Sequence, residues 1–253
     1  MDYLWLCGAF FGVAVLYAAA GFGGGSSYLA LLALAGLPPG TIRPIALLCN
    51  LVVTGTASVS FGRAGVTPWR RALPLILTSV PAAFLGGRVQ LPREQYLLLL
   101  GGLLIVAGLL MLVRKRADLG KQATQGGGAA GAMLVGGAVG FVSGVVGIGG
   151  GIFLSPLLFL TGWATARAIA ATTSLFIALN SLSGLAGQLS VGVMFDYTLT
   201  GLLLASVLLG GLLGTRLTLR RFSPATIQKL AAALILLVGI RLVYANAFIL
   251  GTL

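Results

Sequence analysis

The sequence predicts an all-α integral membrane protein made of two homologous halves, with four apolar segments in each. The halves are expected to be inverted repeats whose first segment is broken by glycines into a re-entrant-like hairpin. Three observations carry this expectation. Of 253 residues, 58% are hydrophobic and only 8% are charged, and mean hydropathy is +1.07, which leaves too few polar residues to cover a water-soluble domain. Nearly uncharged runs long enough to cross about 30 Å of hydrocarbon recur along the chain. Two of those runs are interrupted by the same motif, GFGGGS at 21–26 and GIGGGI at 147–152.

The first segment, residues 3–35, opens without a basic leader or a small-residue cleavage pattern, so it reads as a span and not as a removable signal peptide. Apolar segments at 44–61, 72–87 and 95–113 complete a first repeat, residues 1–113. The stretch RKRADLGKQATQGGG, residues 114–128, is a basic, glycine-ended linker expected to be cytoplasmic. A second repeat, residues 129–253, holds the broken segment 129–160 and the segments 168–189, 197–215 and 227–250. Matching landmarks keep their order in both halves. Gly23-Gly24-Gly25 pairs with Gly149-Gly150-Gly151, TIR at 41–43 with TAR at 165–167, and LGGR at 85–88 with LGTR at 213–216.

The net charge of +12 sits mostly at segment ends, which points to positive-inside topology and away from nucleic acid. If each broken segment crossed once, basic residues would divide evenly between the two sides. If each is a hairpin, Arg63, Arg70, Arg71, Arg114, Lys115, Arg116, Lys121, Arg167, Arg216, Arg220, Arg221 and Lys229 share one side. Only Arg43, Arg88, Arg93 and Arg241 then lie opposite. The hairpin arrangement is therefore favoured, and it inverts the second repeat relative to the first.

In that arrangement the glycine tips enter from opposite faces and meet near the midplane, where bare backbone is tolerated only if it lines a cavity. Glycine permits a sharp reversal and close approach to backbone N–H groups, and the helix that follows turns its unpaired N–H groups toward the break. Ser26 and Ser27 are expected to serve as N-cap and hydroxyl donors in the first copy, where the second has Ile152 and Phe153. Other glycines, namely Gly8 and Gly12, Gly136, Gly140 and Gly144, and Gly210 and Gly214, have the spacing of close helix packing.

Polar residues within the next spans are further candidates. Cys49, Asn50, Thr54 and Ser58 fall opposite Thr173, Ser174, Ala178 and Leu182, the register that pairs TIR with TAR, with Thr172 and Asn180 alongside. They read either as substrate contacts or as interhelical hydrogen bonds. Arg43 and Arg167 open these helices, as attractants for an anion at each mouth or as topology determinants. There is no histidine, and the acids Asp2, Glu94, Asp118 and Asp196 lie at segment ends or in loops. No catalytic constellation, metal set, cofactor motif or intramembrane proton relay is visible. Cys7 and Cys49 read as small buried apolar residues.

The stretches GFGGGSSYLALLALAGLPPGTIR and GVVGIGGGIFLSPLLFLTGWATARAIAATTSLF, one in each half, resemble the sulfite exporter TauE/SafE family, also called the toluene sulfonate uptake permease family. The resemblance spans essentially the whole chain. It implies a secondary transporter in the inner, cytoplasmic membrane for small sulfur anions such as sulfite, sulfonates or sulfoacetate. Its partners would be the small anionic substrate and the lipid bilayer, without nucleic acid, and a homo-oligomer is compatible with it. On this reading Gly23, Gly24, Gly25, Ser26, Ser27, Gly149, Gly150 and Gly151 bind the anion. Asn50, Thr172, Thr173 and Ser174 flank it, and Arg43 and Arg167 steer it. An anion channel, a facilitator for other small anions and a non-transporting scaffold are the alternatives.

Overall fold

The computed structural model describes residues 4–20, 23–113, 128–193, 196–217 and 224–250. Ten helices account for their regular structure: α1 Leu4–Ala20, α2 Gly25–Leu34, α3 Pro39–Arg63, α4 Trp69–Arg88 and α5 Arg93–Val113, then α6 Ala129–Val146, α7 Gly151–Leu160, α8 Ala166–Leu189, α9 Tyr197–Leu217 and α10 Pro224–Leu250. Both glycine-broken segments are therefore helix pairs, α1–α2 and α6–α7. The helices overrun the apolar runs because their polar ends are helical too. Pro39 supplies the fixed φ of a first turn, so α3 starts well before the apolar stretch does. Among the described residues, four helices are long and apolar enough to cross a membrane: α3, α5, α6 and α8. The predicted linker lies outside the described residues except for Gly128.

The halves are interleaved. Helix α1 packs along α9 and α4 along α6, while α5 lies against α10 and α3 against α8. Counted in order within α1–α5 and α6–α10, the first two pairings each join a first helix to a fourth, and the last two join helices of the same rank. One apolar core consequently spans both halves, with Phe10, Tyr28 and Leu104 packed in the same cluster as Leu203, Ile235 and Val238.

Glycine makes the closest seams. A β-carbon on Gly136, Gly140 or Gly144 of α6 would run into the backbone of Leu75, Ser79 and Ala83 of α4 respectively. Residue numbers rise together along this seam, so α4 and α6 run in the same direction. Gly101 meets Gly239 and Leu242, whereas Gly108 meets Ala232 and Leu236, so α5 and α10 run in opposite directions. Gly210 packs on Phe11 and Ala14 of α1, but Gly8 and Gly12 have nothing within 4 Å of where a β-carbon would sit. The expected packing role of those two is thus incorrect. Their helix meets α9 through Phe11 and Ala14, and the glycines lie off that seam. The surroundings of Gly214 fall outside the described residues.

Loop contacts tie the helix ends together. Arg71 at the start of α4 donates to the Trp163 carbonyl before α8 at 2.9 Å. Thr78 of α4 donates to Met133 near the start of α6 at 2.7 Å. At the other end of α4, Gln90 reaches Val191 beyond α8 at 3.4 Å, and Arg93 donates to Gly36 between α2 and α3 at 3.0 Å.

Candidate functional site

The two reversals use glycine for different reasons. In the second, Gly147, Gly149 and Gly150 have φ of 87°, 80° and 80°, a left-handed conformation in which other residues are strained. In the first, Gly24 has an ordinary φ of −82°, and space is what demands glycine. A β-carbon on Gly25 would overlap the Asn50 amide, one on Gly23 would press on Thr54 and Asn50, and one on Gly24 would meet Tyr28 and Val13.

Asn50 lies between the tips. Its amide nitrogen donates to the Ile148 carbonyl oxygen of the opposite tip at 2.8 Å, and the space above Gly149 ends at the same nitrogen and at Ser181. A small cavity, with room for about one water-sized group, lies where the tips meet. Tyr17, Gly23 and Ser26 of the first half line it, facing Ile148, Gly151, Ile152 and Ile177 of the second. Helices α2 and α7 both begin here, with Gly24 and Gly150 at the N-cap positions and no side chain capping either one. Each helix therefore brings first-turn N–H groups and its positive dipole end to the cavity.

Ser26 and Ser27 are not N-caps as expected. They occupy the first turn of α2, since the helix starts at Gly25. Both are buried. Ser26 lines the cavity, and Ser27 shares a 2.9 Å hydrogen bond with the Tyr17 hydroxyl.

Residues 6–242 match the family model described as Sulfite exporter TauE/SafE. The chain belongs to the sulfite exporter TauE/SafE family. The "Probable membrane transporter protein y4hK" of Sinorhizobium fredii (strain NBRC 101917 / NGR234) is a relative, 34% identical over 241 residues, which is 93% of this chain and 96% of that one. No solved structure gives a significant match. Together with its apolar helices, this makes the chain a multi-pass transmembrane transporter of the TauE/SafE family.

In this TauE/SafE chain the two arginines of the repeated motif are not equivalent. Helix α3 begins at Pro39, so Arg43 lies one turn inside it, whereas α8 begins at Ala166 and Arg167 is in its first turn. Arg43 is 5% exposed. Its guanidinium donates to the carbonyls of Val89, Gly87 and Gly144 at 2.9, 3.1 and 3.0 Å. Those acceptors end α4 and α6, where a cation is favourable. Arg43 is thus a strut behind the second tip and not an attractant at an open mouth. Arg167 is exposed.

The register read from those motifs is accordingly displaced. Asn50 sits over Gly25 and Thr54 over Gly23, and the residues over Gly151 and Gly149 are Ile177 and Ser181. Asn50 is matched by Ile177 and not by Ser174, and Thr54 by Ser181 and not by Ala178. Thr173 is buried against Gly151, and Thr172 is buried as well. Ser174 closes on its own helix, donating to Ala170 at 2.9 Å.

Several buried polar atoms of this TauE/SafE site have no hydrogen-bond partner, namely Asn50 Oδ1, Thr173 Oγ1, Ser181 Oγ and Thr172 Oγ1. Such atoms are costly unless a water or ligand meets them. Sequence reasoning missed Tyr17, Ile177 and Ser181. A tyrosine inside an apolar run was a readable signal for the first, because its hydroxyl needs a partner in hydrocarbon. The other two follow only from the corrected register.

Proposed function

We propose that this chain carries small sulfur-containing anions, such as sulfite, sulfonates or sulfoacetate, across the inner (cytoplasmic) membrane by alternating access. The observation that carries this reading is a cavity shared by the two glycine tips, one from each half. First-turn N–H groups of two helices and the Ser26 hydroxyl offer hydrogen-bond donors to an anion without a fixed countercharge beside it. A site of that kind holds an anion and still lets it go. Gly23, Gly24, Gly25 and Ser26 with Gly149, Gly150 and Gly151 are the binding elements of this proposal. Ser27, Asn50, Thr172, Thr173 and Ser174 support them, and Arg167 attracts anions at one mouth.

Inverted repeats at 1–113 and 129–253 fit the same reading. A repeat axis in the membrane plane makes equivalent helices antiparallel, and α5 and α10 run in opposite directions. Helix α6 starts beside the first half of α4, and the loop after α7 is tied to Arg71 at its start. That supports a re-entrant α6–α7 pair whose two ends share one side. Arg63, Arg70, Arg71, Arg167 and the linker 114–128 then face the cytoplasm.

Flux of radiolabelled sulfite, sulfate and a small sulfonate in proteoliposomes, with a potential imposed in either sense, tests the proposal. Saturable, selective movement with counterflow is expected. Conductive, non-saturating flux would identify a channel, and absence of flux for every sulfur anion would overturn the substrate class.

A further inference from the structure

We infer that Asn50 reads a proton on the substrate, so that the transported form is a protonated monoanion, hydrogen sulfite in preference to the sulfite dianion. This rests on the sulfur-anion reading above. The Ile148 carbonyl can only accept a hydrogen bond, so the amide atom 2.8 Å from it must be nitrogen. That contact fixes the orientation of the amide and turns its oxygen, Oδ1, to the other side. Oδ1 is buried and has no partner, and it faces the space above Gly23, a residue lining the cavity. Thr54 donates to the Asn50 main-chain oxygen at 2.7 Å, not to the side chain. An oriented side-chain acceptor therefore stands just behind Gly23, next to the cavity lining of an otherwise donor-rich site, and a substrate meets it where glycine leaves the approach open.

An acceptor repels the lone pairs of a fully deprotonated oxyanion and pairs with one that carries an O–H. Sites built around a particular hydrogen bond reject analogues that lack it far more strongly than apolar pockets reject a missing methylene. The consequence is that a proton crosses with the substrate although the sequence has no histidine and the carboxylate found in a described span, Glu94, sits in the first turn of α5. The groups near Asn50 do not compete for this role. Tyr17 on α1, Tyr28 on α2 and Cys49 on α3 belong to types that ordinarily ionise above about pH 8. Arg43 on α3 is directed at the ends of α4 and α6, the sequences of α7 and α8 offer only Arg167, which is exposed, and α9, which also packs on α3, carries Tyr197 at its exposed start and Arg216 near its other end.

The test is the KM for sulfite of the full chain in proteoliposomes at zero potential, across pH values that bracket the ionisation of hydrogen sulfite to sulfite. Methanesulfonate, singly charged and without a proton throughout, serves as competitor. Expected is a KM on total sulfite that rises about tenfold per pH unit above that ionisation, constant when referred to hydrogen sulfite. Methanesulfonate should inhibit at least tenfold more weakly than hydrogen sulfite binds, at every pH. In Asn50→Ala the pH dependence should flatten. A pH-independent KM on total sulfite, or competition by methanesulfonate equal to that of hydrogen sulfite, would overturn the inference while leaving sulfur-anion transport standing. If Asn50→Ala fails to fold, the wild-type titration and competition still decide. No flux at any pH would overturn both.

Discussion

The Asn50 amide nitrogen donates to the Ile148 carbonyl oxygen at 2.8 Å, joining a membrane-spanning helix of the first half to the glycine tip of the second. It is a contact between the halves at the place where both reversals occur. Asn50→Leu leaves that carbonyl buried and unpaired, at a cost of about 1–3 kcal/mol. Thermal unfolding in detergent should show the loss, and flux should fall at least tenfold in protein that still folds.

Close approach at the first tip makes Gly25 intolerant of a methyl group, because the Asn50 amide occupies the space. Gly25→Ala is expected to abolish transport. Gly55→Ala, in α3 with nothing within 4 Å, should retain transport and gain about 0.5–1 kcal/mol from reduced chain entropy. Flux and melting temperature measured on both variants check the contrast.

The α4–α6 seam leaves no room for a side chain at Gly144, which faces the Ala83 backbone. Gly144→Ala should destabilise by about 1–3 kcal/mol through overpacking. Gly12→Ala, which meets nothing within 4 Å, should leave the melting temperature unchanged or slightly raised.

Arg43 and Arg167 should separate cleanly. Arg43→Gln removes charged donors from the carbonyl ends of α4 and α6 and is expected to cost about 3 kcal/mol or more. Arg167→Gln, at an exposed position, should change stability by less than about 0.5 kcal/mol, and its effect should appear in KM at low salt. Equal melting temperatures for the two variants would contradict the strut role.

The two halves also differ chemically at the cavity, where Ser26 stands in one and Ile152 in the other. Ser26→Ala should raise the KM for the anion several-fold, and Ile152→Ala should change it less. Equal shifts would mean that the hydroxyl makes no contact with the substrate.

Much of this was legible in the sequence because hydrocarbon imposes simple rules. Apolar runs of spanning length located the long helices, and glycine clusters inside two of them marked the reversals, since a break in hydrocarbon must line a cavity. The same reasoning drew attention to Ser26 and Ser27 beside the first break, and a polar residue within a span drew attention to Asn50, and all three are buried. What misled was the assumption that a matching motif fixes the register. TIR and TAR look alike, yet Arg43 sits a turn inside α3 while Arg167 opens α8, and helix starts are set by local backbone preference and not by the arginine. That displacement hid Ile177 and Ser181 and suggested a mouth where Arg43 is enclosed. Gly8 and Gly12 misled similarly, because spacing puts small residues on one face but does not say which helix meets that face.

The central claim is one anion site built from both halves. With Cys7 and Cys49 replaced, single cysteines at Ser26 and at Ile152 can be titrated with a small thiol reagent while sulfite concentration is raised. The account predicts protection of both cysteines with the same half-saturating concentration, equal to the KM for transport. Protection of one without the other, or at unrelated concentrations, would contradict a shared site.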